Sequence, residues 1–171
     1  MQPALHVIGL PHTHPTDGFS TCAYTAKIKK FATMMHRQGW RVILYSGHEN
    51  EAECTEHVPL FTEAERLARF GPWDANRCPN VDWDPARPHW RAMNGRAIEA
   101  IAARMQPRDF LCLVAGRSQE VIAQAYPEML PVEWAVGYSG IHLKHRVFES
   151  YAWMHHVYGL KGIQEIGRAH V

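Results

Sequence analysis

Two histidines, His12 and His14, stand one residue apart directly after the apolar run Leu5-His6-Val7-Ile8-Gly9-Leu10. Both imidazoles of such a pair can turn into one pocket, so the spacing suits the start of a metal site in a metal-dependent hydrolase. Such a site needs further His and Asp ligands at later strand ends. No acidic bridging ligand is evident, and twelve histidines make a chance His-x-His easy. The stretch 11–21 also carries Thr13, Asp17 and Ser20 and leads into a helix, whose unpaired N–H groups favour an anionic or hydroxyl-bearing ligand. It has neither Gly-x-Gly-x-x-Gly nor Gly-x-x-x-x-Gly-Lys-Ser/Thr, which argues against a dinucleotide loop and a P-loop. An ordinary solvated loop is the alternative. Ser46-Gly47-His48-Glu49-Asn50-Glu51 reads as a polar surface turn, and Arg117 either meets a phosphate or is simply exposed. The densest segment is 137–159. Gly137 and Gly140 permit close backbone approach around Tyr138 and Ser139, and His142, Lys144, His145, Arg146 and Glu149 follow. Phe148, Tyr151, Trp153 and Tyr158 are too many rings for one buried helix face. Some should meet a ligand cleft or a partner domain, and the alternative for Phe148 and Tyr151 is the core.

The elements that would position these groups alternate. Strands are predicted over 5–10, 40–45, 110–114 and 132–138, and helices over 20–39, 63–70, 90–106, 118–125 and 146–158. In the first helix Tyr24, Ile28, Phe31 and Met35 share one face; Ser20 or Thr21 would cap it and Gly39 would end it. The proline-rich stretch 71–88 reads as a long loop. Alternation throughout implies an α/β fold, a parallel sheet with helices on both faces, and ligands in such sheets bind beyond the carboxyl ends of the strands.

With 171 residues the chain fits one domain, and 46% hydrophobic residues suffice for a core, so disorder is excluded. A formal net charge of +1 gives no field of one sign to favour nucleic acid or an anionic membrane. The first residues do not read as a signal peptide, and no stretch approaches the roughly 20 apolar residues of a membrane span. Cys22, Cys54, Cys78 and Cys112 form no Cys-x-x-Cys pair and read as reduced thiols of a cytoplasmic protein.

The string L-H-V-I-G-L-P-H-T-H…C-A-Y-T-A-K-I-K-K-F…G-W-R-V-I-L-Y-S-G-H-E-N-E resembles the start of a group of bacterial and phage glycosyltransferases, and V-E-W-A-V-G-Y-S-G-I-H…R-V-F-E-S-Y-A-W-M-H-H-V-Y-G resembles a later part of the same domain. The resemblance implies the Rossmann-like N-terminal half of a GT-B enzyme of the retaining family-4 type. That half is the acceptor side, and a second domain holds the nucleotide-sugar. No metal or tightly bound cofactor is implied, only a nucleotide-sugar donor as co-substrate and a glycan or other acceptor. It places His142 near the transferred sugar as a catalytic residue. His12, Thr13, His14, Asp17, Ser20, Tyr138, Ser139, Gly140, Lys144 and Arg146 become substrate-binding candidates. The sequence departs from the pattern in having no double-glycine loop after the first strand.

The last six residues, Ile166-Gly167-Arg168-Ala169-His170-Val171, match what a widely used sequencing adapter gives in translation and are read as a scar, so the natural domain is expected to fill residues 1–165 and to continue into a donor-binding domain. A non-catalytic binding domain is the other reading that the residues leave open.

Overall fold

The computed structural model describes residues 2–77, 80–138 and 140–160; the expected boundary at residue 165 and the 166–171 tail lie outside them. Six strands, β1 (Leu5–Ile8), β2 (Val42–Gly47), β3 (Glu56–Phe61), β4 (Phe110–Leu113), β5 (Leu130–Val136) and β6 (His145–Phe148), form one sheet in the order β3-β2-β1-β4-β5-β6. Every neighbouring pair is parallel. This is the Rossmann-like α/β arrangement, in which the strand order reverses between β1 and β4.

The central strands are buried on both faces, and their side chains alternate between two cores. Leu5, Val7, Val42 and Leu44 meet Ile28 and Ala32 of α1 (Ala23–Arg37) on one face. Ile8, Ile43, Tyr45, Leu111 and Leu113 meet Met93, Ala97 and Ile101 of α3 (Pro88–Ala102) and Ile122 of α4 (Glu120–Ala125) on the other. The short α2 (Glu63–Phe70) follows β3 and starts at a capping box: Thr62 accepts from the Glu65 N–H, and the Glu65 carboxylate accepts from the Thr62 N–H.

Two strands escape the sequence pattern. β3 and β6 lie at the sheet edges, where one side of the ladder is open; β3 carries Pro59, which such a position tolerates, and β6 is half exposed. Neither gives the apolar run of a central strand. The helix expected over 146–158 is thus a strand, a break at Ser150, and α5 (Tyr151–Leu160), with Ser150 Oγ accepting from the Trp153 N–H at 3.3 Å. Neither Ser20 nor Thr21 caps α1: Cys22 occupies that position and its side chain makes no cap bond. Among the described residues no helix is long and apolar enough to cross a membrane.

Candidate functional site

Where the strand order reverses, β1 and β4 feed opposite halves of the sheet and their following loops part. Gln119 ties that opening together. Its side-chain carbonyl accepts from the N–H groups of Val114 (3.0 Å) and Ala115 (3.1 Å), and its amide donates to the Gly9 carbonyl at 2.8 Å. Gly9 in turn lets the end of β1 lie close against β2, since a Cβ there would stand 2.9 Å from Ser46 Cβ. The loops then turn outward around a crevice of about 350 Å³, within the usual range for small-molecule sites.

Each wall comes from a different element. Tyr24 stands in the first turn of α1, Trp83 on the long loop before α3, Gly116 and Arg117 follow β4, and Tyr138 and Gly140 follow β5. Gly116 has φ +54°, and a Cβ there would lie 3.0 Å from both the Gly140 carbonyl and the Tyr138 ring, so conformation and space both call for glycine. Tyr24 presents its ring edge-on to Tyr138 at 6.3 Å and to Trp83 at 6.4 Å. Lys27 sits over the Tyr24 ring, 4.7 Å from its centroid, and pairs with Glu149 at the end of β6. Burial first, then the Glu149 charge, raises the Tyr24 phenol; burial and the Glu133 charge raise that of Tyr138. Both are neutral near pH 7 and can donate a hydrogen bond.

The Tyr138 loop is organised by Glu133, a fully buried carboxylate inside β5. Its Oε2 accepts from the N–H groups of His142 (3.0 Å) and Leu143 (2.8 Å), and Oε1 lies 3.4 Å from the Tyr138 hydroxyl. Burial works to raise its pKa, yet the contact with His142 and the two backbone donors outweigh it and the net shift is downward. His142 Nδ1 comes within 3.0 Å of Oε1, but obliquely, so that neither ring nitrogen makes a hydrogen bond of good geometry. The His142 ring is buried against Glu133 and is not part of the crevice wall.

The other expected site residues divide. Tyr138 and Gly140 enter the crevice, whereas Ser139 lies outside the described residues. Thr13 is buried on Thr25, with hydroxyl oxygens 2.6 Å apart. His14 is a structural pin: its Nδ1 accepts from the Glu49 N–H (3.3 Å), Nε2 donates to Glu63 at 2.7 Å, and the ring fills the space over Gly47. His12 turns to different neighbours, with Nε2 3.6 Å from Cys22 Sγ and ring edges against Phe70 and Trp83. The two imidazoles therefore serve separate surroundings, and among the described residues no group of three or more His, Cys, Asp and Glu side chains is placed to hold a metal ion. Asp17 and Ser20 line an outer groove beside α1, where Lys29 donates to Asp17 (2.7 Å) and Glu51 (2.6 Å). Lys144 is exposed, and Arg146 on β6 places its guanidinium 5.9 Å from the Tyr158 ring centroid.

No known protein family, curated protein or solved structure matches this chain. Its site must speak for itself.

Sequence reasoning missed Glu133, Gln119, Tyr24 and Trp83. Glu133 left one readable sign, a lone carboxylate within the apolar strand V-E-W-A-V. A buried carboxylate there requires nearby donors. Gln119 left none, because the Gly9 carbonyl that its amide meets lies more than a hundred positions away.

Proposed function

We propose that this domain is the acceptor-side lobe of a GT-B-type glycosyltransferase, acting on a nucleotide-sugar and a glycan or other hydroxyl-bearing acceptor in the cytoplasm. The observation that carries the reading is the crevice at the strand-order reversal, walled by Tyr24, Trp83 and Tyr138 over the glycine turn at Gly116. Aromatic faces and edges beside neutral phenols suit a sugar ring, which offers apolar C–H faces and a rim of hydroxyls. Glycosyl transfer builds positive charge on the sugar and negative charge on a departing phosphate, so the site needs donors at the phosphate and a carbonyl or carboxylate near the sugar. Tyr24 in the first turn of α1, Arg117 and Gly140 line the crevice, and their phenol, guanidinium and backbone groups can serve those needs. A second lobe closing over it would supply the nucleotide contacts, with no tightly bound cofactor. In this reading His142 acts from the crevice loop once its ring swings away from Glu133, and its replacement by alanine lowers turnover of the two-lobed enzyme more than it lowers stability.

The test is a saturation-transfer NMR survey of UDP-, GDP-, dTDP- and ADP-sugars against the 171-residue chain. Weak binding, with a dissociation constant on the order of millimolar, is expected, perturbing the Tyr24, Trp83 and Tyr138 rings without sugar release. Turnover by this chain alone, or ligand contacts that avoid those rings, would contradict the reading.

A further inference from the structure

A second cavity, of about 370 Å³, lies between α2 and the loop that follows it and shares no lining residue with the crevice. His12 enters it from the end of β1, Arg66 and Arg69 from α2, and Trp73, Asp74 and Arg77 from the loop. Two buried nitrogens on its wall, His12 Nδ1 and Trp73 Nε1, have no hydrogen-bond partner among the described residues. Leaving such a group unmet costs about 1–3 kcal/mol, and native structures seldom leave two at one place without something to meet them. His12 is 2% exposed, so bulk water does not meet its need.

Charge points the same way. Arg69 and Arg77 are exposed, and among the described residues neither has a carboxylate within ion-pair distance. Arg66 is buried and held rigid by both oxygens of Glu63 (2.6 and 2.8 Å) and by the Gly71 carbonyl at 3.2 Å. Against these stands Asp74, whose Oδ1 already accepts from the Asn76 N–H at 2.9 Å. Arg69 in the last turn of α2 would favour that helix end with no ligand at all. The same cannot be said of Arg77, Trp73 and His12, which come from two other segments. Where His12 Nε2 accepts from the Cys22 thiol, the ring proton resides on Nδ1 and becomes a donor, beside the indole N–H.

We propose that this cavity is an oxyanion site that takes the phosphate of a phosphorylated small molecule. Trp73 Nε1–H and His12 Nδ1–H donate to the phosphate oxygens, and Arg69 and Arg77 close over the charge. The site goes beyond the transferase reading and does not require it. Two sources share this chemistry, a phosphate on the acceptor and the diphosphate of a donor.

The test is a titration of the 171-residue chain with inorganic phosphate, at ionic strength held constant with chloride, read on the indole N–H signals by 1H–15N NMR. A saturable shift of the Trp73 signal, with Trp134 unmoved, is expected, and affinity at least about tenfold weaker in the exposed-site double variant R69Q/R77Q. No saturable shift below about 10 mM, or the same affinity in the double variant, would overturn the proposal. A UDP arm separates the sources: competition with phosphate assigns the oxyanion to a donor, and independent binding assigns it to an acceptor. Trp83 reports the crevice in the same spectra, so failure of the cavity and failure of the transferase reading are told apart.

Discussion

The two ends of the sheet solve the problem of buried polar groups in opposite ways. At the amino end, His6 is fully buried, donates from Nε2 to Asp109 at 3.1 Å and accepts from the Tyr45 hydroxyl at 2.9 Å, while Asp109 also accepts from the N–H groups of Ala4 (2.8 Å) and Gln106 (2.9 Å). Each of these polar atoms has a protein partner, and none of these residues lines the crevice or the second cavity. At the carboxyl end, His12, Trp73 and His142 each leave a buried nitrogen without a good partner among the described residues, next to two open cavities. A satisfied network stabilises and specifies; an unsatisfied one beside open space awaits a ligand. The contrast teaches that two histidines six positions apart, one in β1 and one in the loop that follows it, carry opposite meanings.

Breaking the amino-end network should have the largest effect. Asp109→Ala strips three donors of their acceptor, two of them buried, and is expected to cost about 3–5 kcal/mol in urea unfolding, with binding per folded molecule unchanged at the crevice. A loss below about 1 kcal/mol would erase the difference between the ends. Next comes acid. Burial, helped by the charges of His89 and Arg66, depresses the His12 imidazole from 6.5 to about 4. The unfolded chain therefore takes up this proton first, so the stability His12 contributes is whole above pH 6.5 and is lost as the pH falls toward 4, up to about 3 kcal/mol. His6 is shifted in the same direction, by burial first. Replacing His12 by leucine should flatten its share of the fall in denaturation measured from pH 7 to 4. An unchanged slope would show that the ring is hydrated.

Gly116→Ala is expected to cost about 1–2 kcal/mol, from the left-handed backbone and the tight contacts with Tyr138 and Gly140, and to narrow the crevice. Thermal unfolding and ligand titration read the two parts separately. The smallest effect belongs to Trp83→Ala. This partly exposed ring adds little to the core, so a stability change near 0.5 kcal/mol is expected, with a loss of crevice affinity of roughly 1 kcal/mol. A variant that binds as the parent does would remove Trp83 from the site.

The sheet was legible because β1, β2 and β4 are buried on both faces and read as short continuous apolar runs, bounded by glycine or proline. The edge strands were not, since half-exposed alternation in H-R-V-F looks like the start of an amphipathic helix. In the site, position along the chain was a good guide to strand ends: Tyr138 and Gly140 follow β5 and line the crevice. Direction was not. That His14 points to Glu63, 49 residues on, while His12 points to Cys22 and the cavity, depends on packing that the His-x-His spacing does not encode. Asp17 and Ser20 show the same limit, as the 3-10 turn Asp17–Phe19 carries them to the outer side of α1.

The most direct check on the central claim, that ligands are met at the carboxyl ends of the strands, is hydrogen–deuterium exchange with and without a saturating nucleotide-sugar. The account predicts slowed exchange in 114–118 and 137–143 and around the start of α1, with the amino-end loop 103–109 unchanged. Protection confined to 103–109, or none anywhere at saturation, would contradict it.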